Sequence, residues 1–116
     1  MTLDEFQQAS CTLYGKYPYD FGSFFTSLGI VNSTGNLAGY LMNILNKSDS
    51  TITEDEKKYI GLLLGEIMTY ISLTANALGI SMEYVGEIGI SKLKRDRETE
   101  EIKTSNIFRK HKIKYE

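Results

Sequence analysis

The sequence predicts an all-α fold, a bundle of four helices. Three observations carry that expectation. Apolar residues recur three and four apart along four stretches, the period of one helix face. Two of those stretches open on a Thr followed three residues later by a Glu, Thr2 with Glu5 and Thr53 with Glu56, the spacing of a capping box. The stretches are parted by segments punctuated with Gly, Pro or short polar residues. The 116 residues suit one domain. A chain of that length can bury roughly 65% of its unfolded surface, so a real core is within reach.

The first helix is expected over about Leu3 to Tyr14, with Leu3, Phe6, Ala9 and Leu13, and Ser10 beside them, on an apolar face. GKYPYDFG (Gly15–Gly22) reads as a loop. A second helix is expected over about Phe24 to Asn46, carrying Leu28, Val31, Leu37, Leu41, Ile44 and Leu45. Its middle is weak: Asn32, Ser33, Thr34, Gly35 and Asn36 are poor helix formers, and Gly costs ~1 kcal/mol against Ala. Either the helix breaks there or tertiary packing carries it through. Gly35, Ala38 and Gly39 would let a neighbour approach closely.

NKSDSTIT (Asn46–Thr53) is a polar linker, and Glu54, Asp55 and Glu56 suit the helix N-terminus that follows it. The third helix should run to about Leu78, ~37 Å at 1.5 Å per residue, with Gly79 placed to end it. Ile60, Leu63, Leu64, Ile67, Ile71 and Leu78 form a stripe that Leu62, Met68, Tyr70 and Leu73 widen. An arc so broad calls for cover on several sides, more than one small protomer supplies, so a homo-oligomer is expected, a homodimer or homotetramer. Ser81 is placed to cap a fourth helix over about Met82 to Arg97, with Val85, Ile88, Lys92 and Leu93 along one face beside Gly86 and Gly89. The organisation expected is thus a helical domain over 1–97 and a basic extension over 98–116, to which the pattern assigns no structure.

The net charge of −2 hides an asymmetry. Residues 1–91 hold four Lys/Arg against ten Asp/Glu, and residues 92–116 hold nine against five. A basic end can meet phosphate or nucleic acid, but a solvated helix end is the plainer reading, and nucleic acid is not an expected partner. The single Cys11 cannot form an internal disulfide, which favours a reducing compartment. No uninterrupted apolar run approaches ~18 residues, so no membrane span is expected. The opening MTLDEFQQAS is unlike a secretory signal. Together these place the protein in a cytoplasm, that of a host cell if the gene is viral.

The order of the pieces resembles the MazG-like, all-α nucleotide pyrophosphohydrolases over about residues 2 to 97. TLDEFQQASCTLY is similar to that family's first helix, which often opens L-D-E-(aromatic)-Q. LGIVNSTGNL is similar to L-G-L-x-G-E-x-G-E-L, and LLLGEIMTYISLTANALGISMEYV to E-L-G-D-(apolar)₂-(aromatic)-Y followed by L-G-(apolar)-S. GISKLKRDR is similar to N-x-x-K-L with basic residues after it. In active members the resemblance implies acidic residues on the second and third helices that hold magnesium, clamp a nucleoside triphosphate and help water release pyrophosphate.

Most of those acids are replaced. The two helix-two acids match Ser33 and Asn36, the first helix-three acid matches Leu63, and the Asp after it matches Glu66, the one acid retained. The Asn of the last phrase matches Gly89, its Lys matches Lys92, and the Tyr of the third phrase matches Tyr70. A shifted register cannot restore the set, since no Asp or Glu lies between Phe21 and Asn46. Mg²⁺ dehydrates reluctantly and needs anionic ligands, so no cofactor is expected, magnesium entering only if hydrolysis survives. Loss of the acids also removes repulsion of phosphate, and Ser33, Thr34 and Asn36 supply hydrogen-bond donors in their place. Lys92, with Lys94 or Arg95, could then meet phosphate directly.

Each candidate has a plainer role. Ser33 and Asn36 could line a solvated kink. Glu66 in an apolar helix needs a partner, and Lys92 offers one for a purely structural pair. Tyr70 reads as core, or as a ring against a base. Gln7 and Gln8 read as surface residues, or as readers of a base edge. Tyr14, Tyr17 and Tyr19 cluster near the loop as a lid or an oligomer contact. His111 has no metal-binding companions, and Cys11 is better suited to packing than to nucleophilic attack.

The expected function is therefore a catalytically degenerate MazG-like protein that binds, and could sequester, a nucleotide or nucleotide-derived signal without cutting it, with Ser33, Asn36, Glu66, Tyr70, Lys92 and Gln7 as ligand-binding candidates. Such a protein would suit a phage blunting a host's nucleotide messenger. One alternative is an active pyrophosphohydrolase that completes its metal site with acids from a neighbouring subunit. Another is a structural or protein-interaction module.

Overall fold

A computed structural model of the chain describes residues 1–14, 22–47, 49 and 51–111, and their side chains except at 22–25 and 102–111. Four helices follow one another: α1 (Leu3–Tyr14), α2 (Gly22–Leu45), α3 (Glu54–Ala77) and α4 (Met82–His111). No strand occurs among the described residues. The chain divides into two compact units, Met1–Met82 and Glu83–Glu116. The first holds α1, α2 and α3, and the second is built on α4. Of the loop expected at Gly15–Gly22, residues 15–21 lie outside the described residues, Tyr17 and Tyr19 among them, and Gly22 opens α2.

Both capping boxes form. Thr2 N–H donates to Glu5 Oε1 at 2.9 Å, and Glu5 N–H returns to Thr2 Oγ1 at 3.1 Å. Thr53 and Glu56 make the same exchange at 2.9 and 3.1 Å, with Thr53 extended at φ −74 and ψ 162. Each pair satisfies two of the donors that a helix start leaves open. At the other end of α3, Ile80 N–H reaches Ala75 C=O at 2.8 Å and Gly79 N–H reaches Asn76 C=O at 3.1 Å. Those two bonds make a Schellman motif around Gly79, whose φ of +71 is the left-handed conformation that favours glycine.

α2 runs unbroken through Asn32–Asn36. Thr34 Oγ1 donates back to Ile30 C=O at 2.8 Å, which satisfies one weak residue within the helix. Ser33 is fully enclosed, its hydroxyl bonded to α3. Packing on α3 thus outweighs the poor local propensity. α4 extends past the expected end at Arg97 to His111, and ion pairs one turn apart, Lys92–Asp96 at 2.5 Å and Arg97–Glu101 at 3.3 Å, line its course.

In the first unit α3 is central and packs on both α1 and α2. Ile44, Leu63, Ala75 and Met82 are its apolar side chains closed off from solvent among the described residues. α3 is also long and apolar enough to cross a membrane by length and composition, with a mean hydropathy of 1.3 over its best window. Counting uninterrupted apolar runs misses this. Thr, Ser and Gly break the runs, yet after Lys58 the helix carries only Glu66 as a charged residue.

Candidate functional site

The candidate site lies along the seam where α2 and α3 pack, and successive turns supply its rungs. At one rung Ser33 Oγ donates to Glu66 Oε1 at 3.0 Å. Ser33 is 0% exposed and Glu66 half-buried. A hydrogen bond to a carboxylate in such a place contributes about 1.5–3 kcal/mol. One turn away the Tyr70 ring lies against Gly29, so close that a Cβ on Gly29 would stand 2.5 Å from its Cδ1 and 2.8 Å from its Cζ. The same ring meets Tyr14 of α1 edge-on, with centroids 6.2 Å apart and planes at 60°. Tyr70 is thus the wedge on which α1, α2 and α3 meet.

The far end of the seam is closed by other means. Tyr40 and Tyr59 pack ring to ring at 4.6 Å. Beyond them Lys47 Nζ reaches Glu56 Oε2 at 2.7 Å. The Lys47 ammonium, with the Thr53 backbone N–H, holds the Glu56 carboxyl well below its usual 4.5, at about 2. The same hydrogen bond raises Lys47. These contacts fix the α2–α3 hairpin, and so the register that sets Ser33 opposite Glu66.

Gln7 occupies a different place from the surface position its polarity suggests. It is 8% exposed, and both ends of its amide are engaged. Nε2 donates to Ile80 C=O at 2.8 Å, with Ser72 C=O at 3.5 Å, while Oε1 accepts Met82 N–H at 3.0 Å. Gln7 therefore ties α1 to the turn after α3 and caps the first N–H of α4. One signal in the sequence could have found this. Leu3, Gln7, Ser10 and Tyr14 share a face at helical spacing, and a polar residue on an inward face needs bonded partners. Burial also pushes the Cys11 thiol up, which suits a packed residue rather than a nucleophile.

Of the six candidates, the seam brings together Ser33, Glu66 and Tyr70. Asn36 is exposed on α2, one turn from Ser33. Lys92 is exposed on α4 in the second unit, where Asp96 is its ion-pair partner. Gln7 belongs to the α1–α3 contact. Glu66 has Ser33 as a hydrogen-bond partner in its own unit, where the sequence offered Lys92.

The donors on the seam do not fit a pair of magnesium ions. Glu66 supplies one carboxylate whose Oε1 already accepts the Ser33 hydroxyl, and Leu63 is buried and apolar. Among the described residues no three His, Cys, Asp or Glu side chains converge as a metal site would require.

No protein-family model matches the chain. No solved structure matches it. The Gene 37 protein of Mycobacterium phage L5 is 28% identical over 78 residues, 66% of this chain and 68% of that protein. A relative of this chain is therefore encoded by a phage.

Proposed function

We propose that this chain is a MazG-like helical bundle whose metal site has been dismantled, and that it binds a nucleotide or nucleotide-derived signal without hydrolysing it. The observation that carries this reading is the Ser33–Glu66 hydrogen bond. Two positions that the resemblance assigns to metal-binding acids face each other across the seam, joined as a hydroxyl and a carboxylate with no cation needed between them. Asn36, on the next turn of α2, offers an amide to a ligand. In the second unit, taken by itself, α4 exposes Lys92, Lys94 and Arg95, which the resemblance offers as phosphate-binding cations. Tyr70 offers a ring but also wedges the helices, so its part in binding is the least separable from folding. The phage relative supports a role in a host cytoplasm, where sequestering a nucleotide messenger would serve the phage. The protein is proposed to act as a homodimer or homotetramer, because large apolar side chains on α2 and α3, Leu62 and Met42 among them, stand open on the single chain.

The test is thermal unfolding against a panel of linear and cyclic nucleotides, with EDTA and then with Mg²⁺. A true ligand at a hundredfold its Kd adds about 2.7 kcal/mol, a rise of several degrees in Tm. The shift should persist in EDTA and shrink in Asn36→Ala and in Lys92→Ala. Magnesium-dependent release of pyrophosphate would instead favour the active enzyme. A second reading has an observation of its own: the same open apolar faces suit a protein-interaction module, which no nucleotide would stabilise.

A further inference from the structure

α2 has two seams, and α3 covers one of them. Thr26, Gly29, Ser33, Leu37, Tyr40 and Ile44, spaced three and four apart, are buried or half-buried. The second seam reads Leu28, Val31, Gly35, Ala38, Met42 and Leu45, and each of these six is exposed. Val31 is 69% exposed and Met42 63%. The spacing along this open seam is three, four, three, four, three, that of core positions in paired helices.

Three features select the occupant. The spacing reads the same in both directions, so an antiparallel copy of the helix matches it position for position: Leu28 on Leu45, Val31 on Met42, Gly35 on Ala38. The sizes match as well, with small residues at the midpoint, where two backbones must come closest, and large ones toward both ends. Nothing within 4 Å would meet a Cβ at Gly35, so that midpoint is open. Finally, α2 carries no acidic or basic side chain from Gly22 to Leu45, so like meets like without charge repulsion, and antiparallel dipoles attract. The seam extends over about 26 Å of helix. Contact along that length closes several hundred Å² per partner, on the order of the ~800 Å² of a stable specific interface.

We infer that the open seam of α2 is a two-fold interface with a second copy of this chain, the two α2 helices running antiparallel with Gly35 against Ala38 at the axis. This rests on the self-association proposed above and adds its face and its symmetry. Such a contact is isologous and closes at two copies.

The experiment uses the full chain. Light scattering after size exclusion should give a dimer for the wild type. V31E should dissociate it, weakening association on the order of 100-fold or more, since a carboxylate would be buried opposite Met42 without a partner. M42K should do the same. Val31 and Met42 are exposed in the single chain, so both variants should keep their helical circular dichroism. An equimolar mixture of V31E and M42K should re-form a dimer, because the new charges would face each other. In a Cys11→Ser background, V31C and M42C should cross-link when mixed under mild oxidation, and V31C alone should not, its two copies being about 16 Å apart along the axis. A monomeric wild type would overturn both the self-association and its face. A wild-type dimer that V31E leaves intact would overturn the face alone. Efficient cross-linking of V31C to itself would overturn the antiparallel arrangement.

Discussion

Replacing Gly29 with Ala tests how the three helices of the first unit are held. Two effects oppose one another. Ala in a helix interior is favoured over Gly by about 1 kcal/mol. The added methyl, however, would stand 2.5 Å from Tyr70 Cδ1 and 2.8 Å from its Cζ, closer still to Cε1, where carbons settle at about 3.5–4.0 Å. The Tyr14 ring packs against the same side chain, with centroids 6.2 Å apart, and narrows the room into which it could move. Either α2 must lift from α3 or Tyr70 must leave its place, and overpacking of that kind costs about 1–3 kcal/mol. The net change in G29A is then a loss of about 0–2 kcal/mol, too wide a range to decide the matter alone. The decisive quantity is the coupling. In a Tyr70→Ala background the obstacle is gone, and G29A should stabilise by up to about 1 kcal/mol. The sign of its effect reverses, with a coupling of about 1–3 kcal/mol. Urea unfolding followed by circular dichroism, at one protein concentration throughout, measures all four corners of the cycle. G29A stabilising the wild type as much as it stabilises Tyr70→Ala would refute the wedge.

Three further outcomes follow from contacts on the same unit. Ser33→Ala should cost about 1–3 kcal/mol in urea unfolding, because it strips the half-buried Glu66 of its donor, whereas Glu66→Gln, which keeps an oxygen acceptor there, should cost less. Glu56 has a folded value of about 2, below its ordinary 4.5. Its contribution is therefore complete above pH ~4.5 and lost as pH falls from there toward 2, so Glu56→Gln should flatten that part of the stability–pH curve, and an unchanged slope would count against the Lys47–Glu56 pair. Gln7→Leu should cost about 2–4 kcal/mol by leaving Ile80 C=O and Met82 N–H without their partner, and hydrogen exchange at the Met82 amide should speed up more than at mid-α3.

The starts of α1 and α3 and the end of α3 were legible in the residues alone. Thr2 with Glu5, Thr53 with Glu56, and Gly79 act within a few residues of themselves, through hydrogen bonds that the chain makes locally whatever else it packs against. The same is true of the missing acids: no fold can place a carboxylate on a helix that has none between Phe21 and Asn46. Which partner each inward polar residue finds depends on how the helices pack. Ser33 and Glu66 are 33 residues apart, and Gln7 and Met82 are 75 apart. No local spacing encodes such a meeting, since the register of one helix on another sets it. The unbroken course of α2 belongs here too. Asn32–Asn36 argues against a helix on propensity alone, and the enclosure of Ser33 against α3 outweighs that argument. Gly29 reads as one more weak helix residue until the ring of Tyr70 is seen resting on it, for a glycine's fit depends on what another segment brings to its missing side chain.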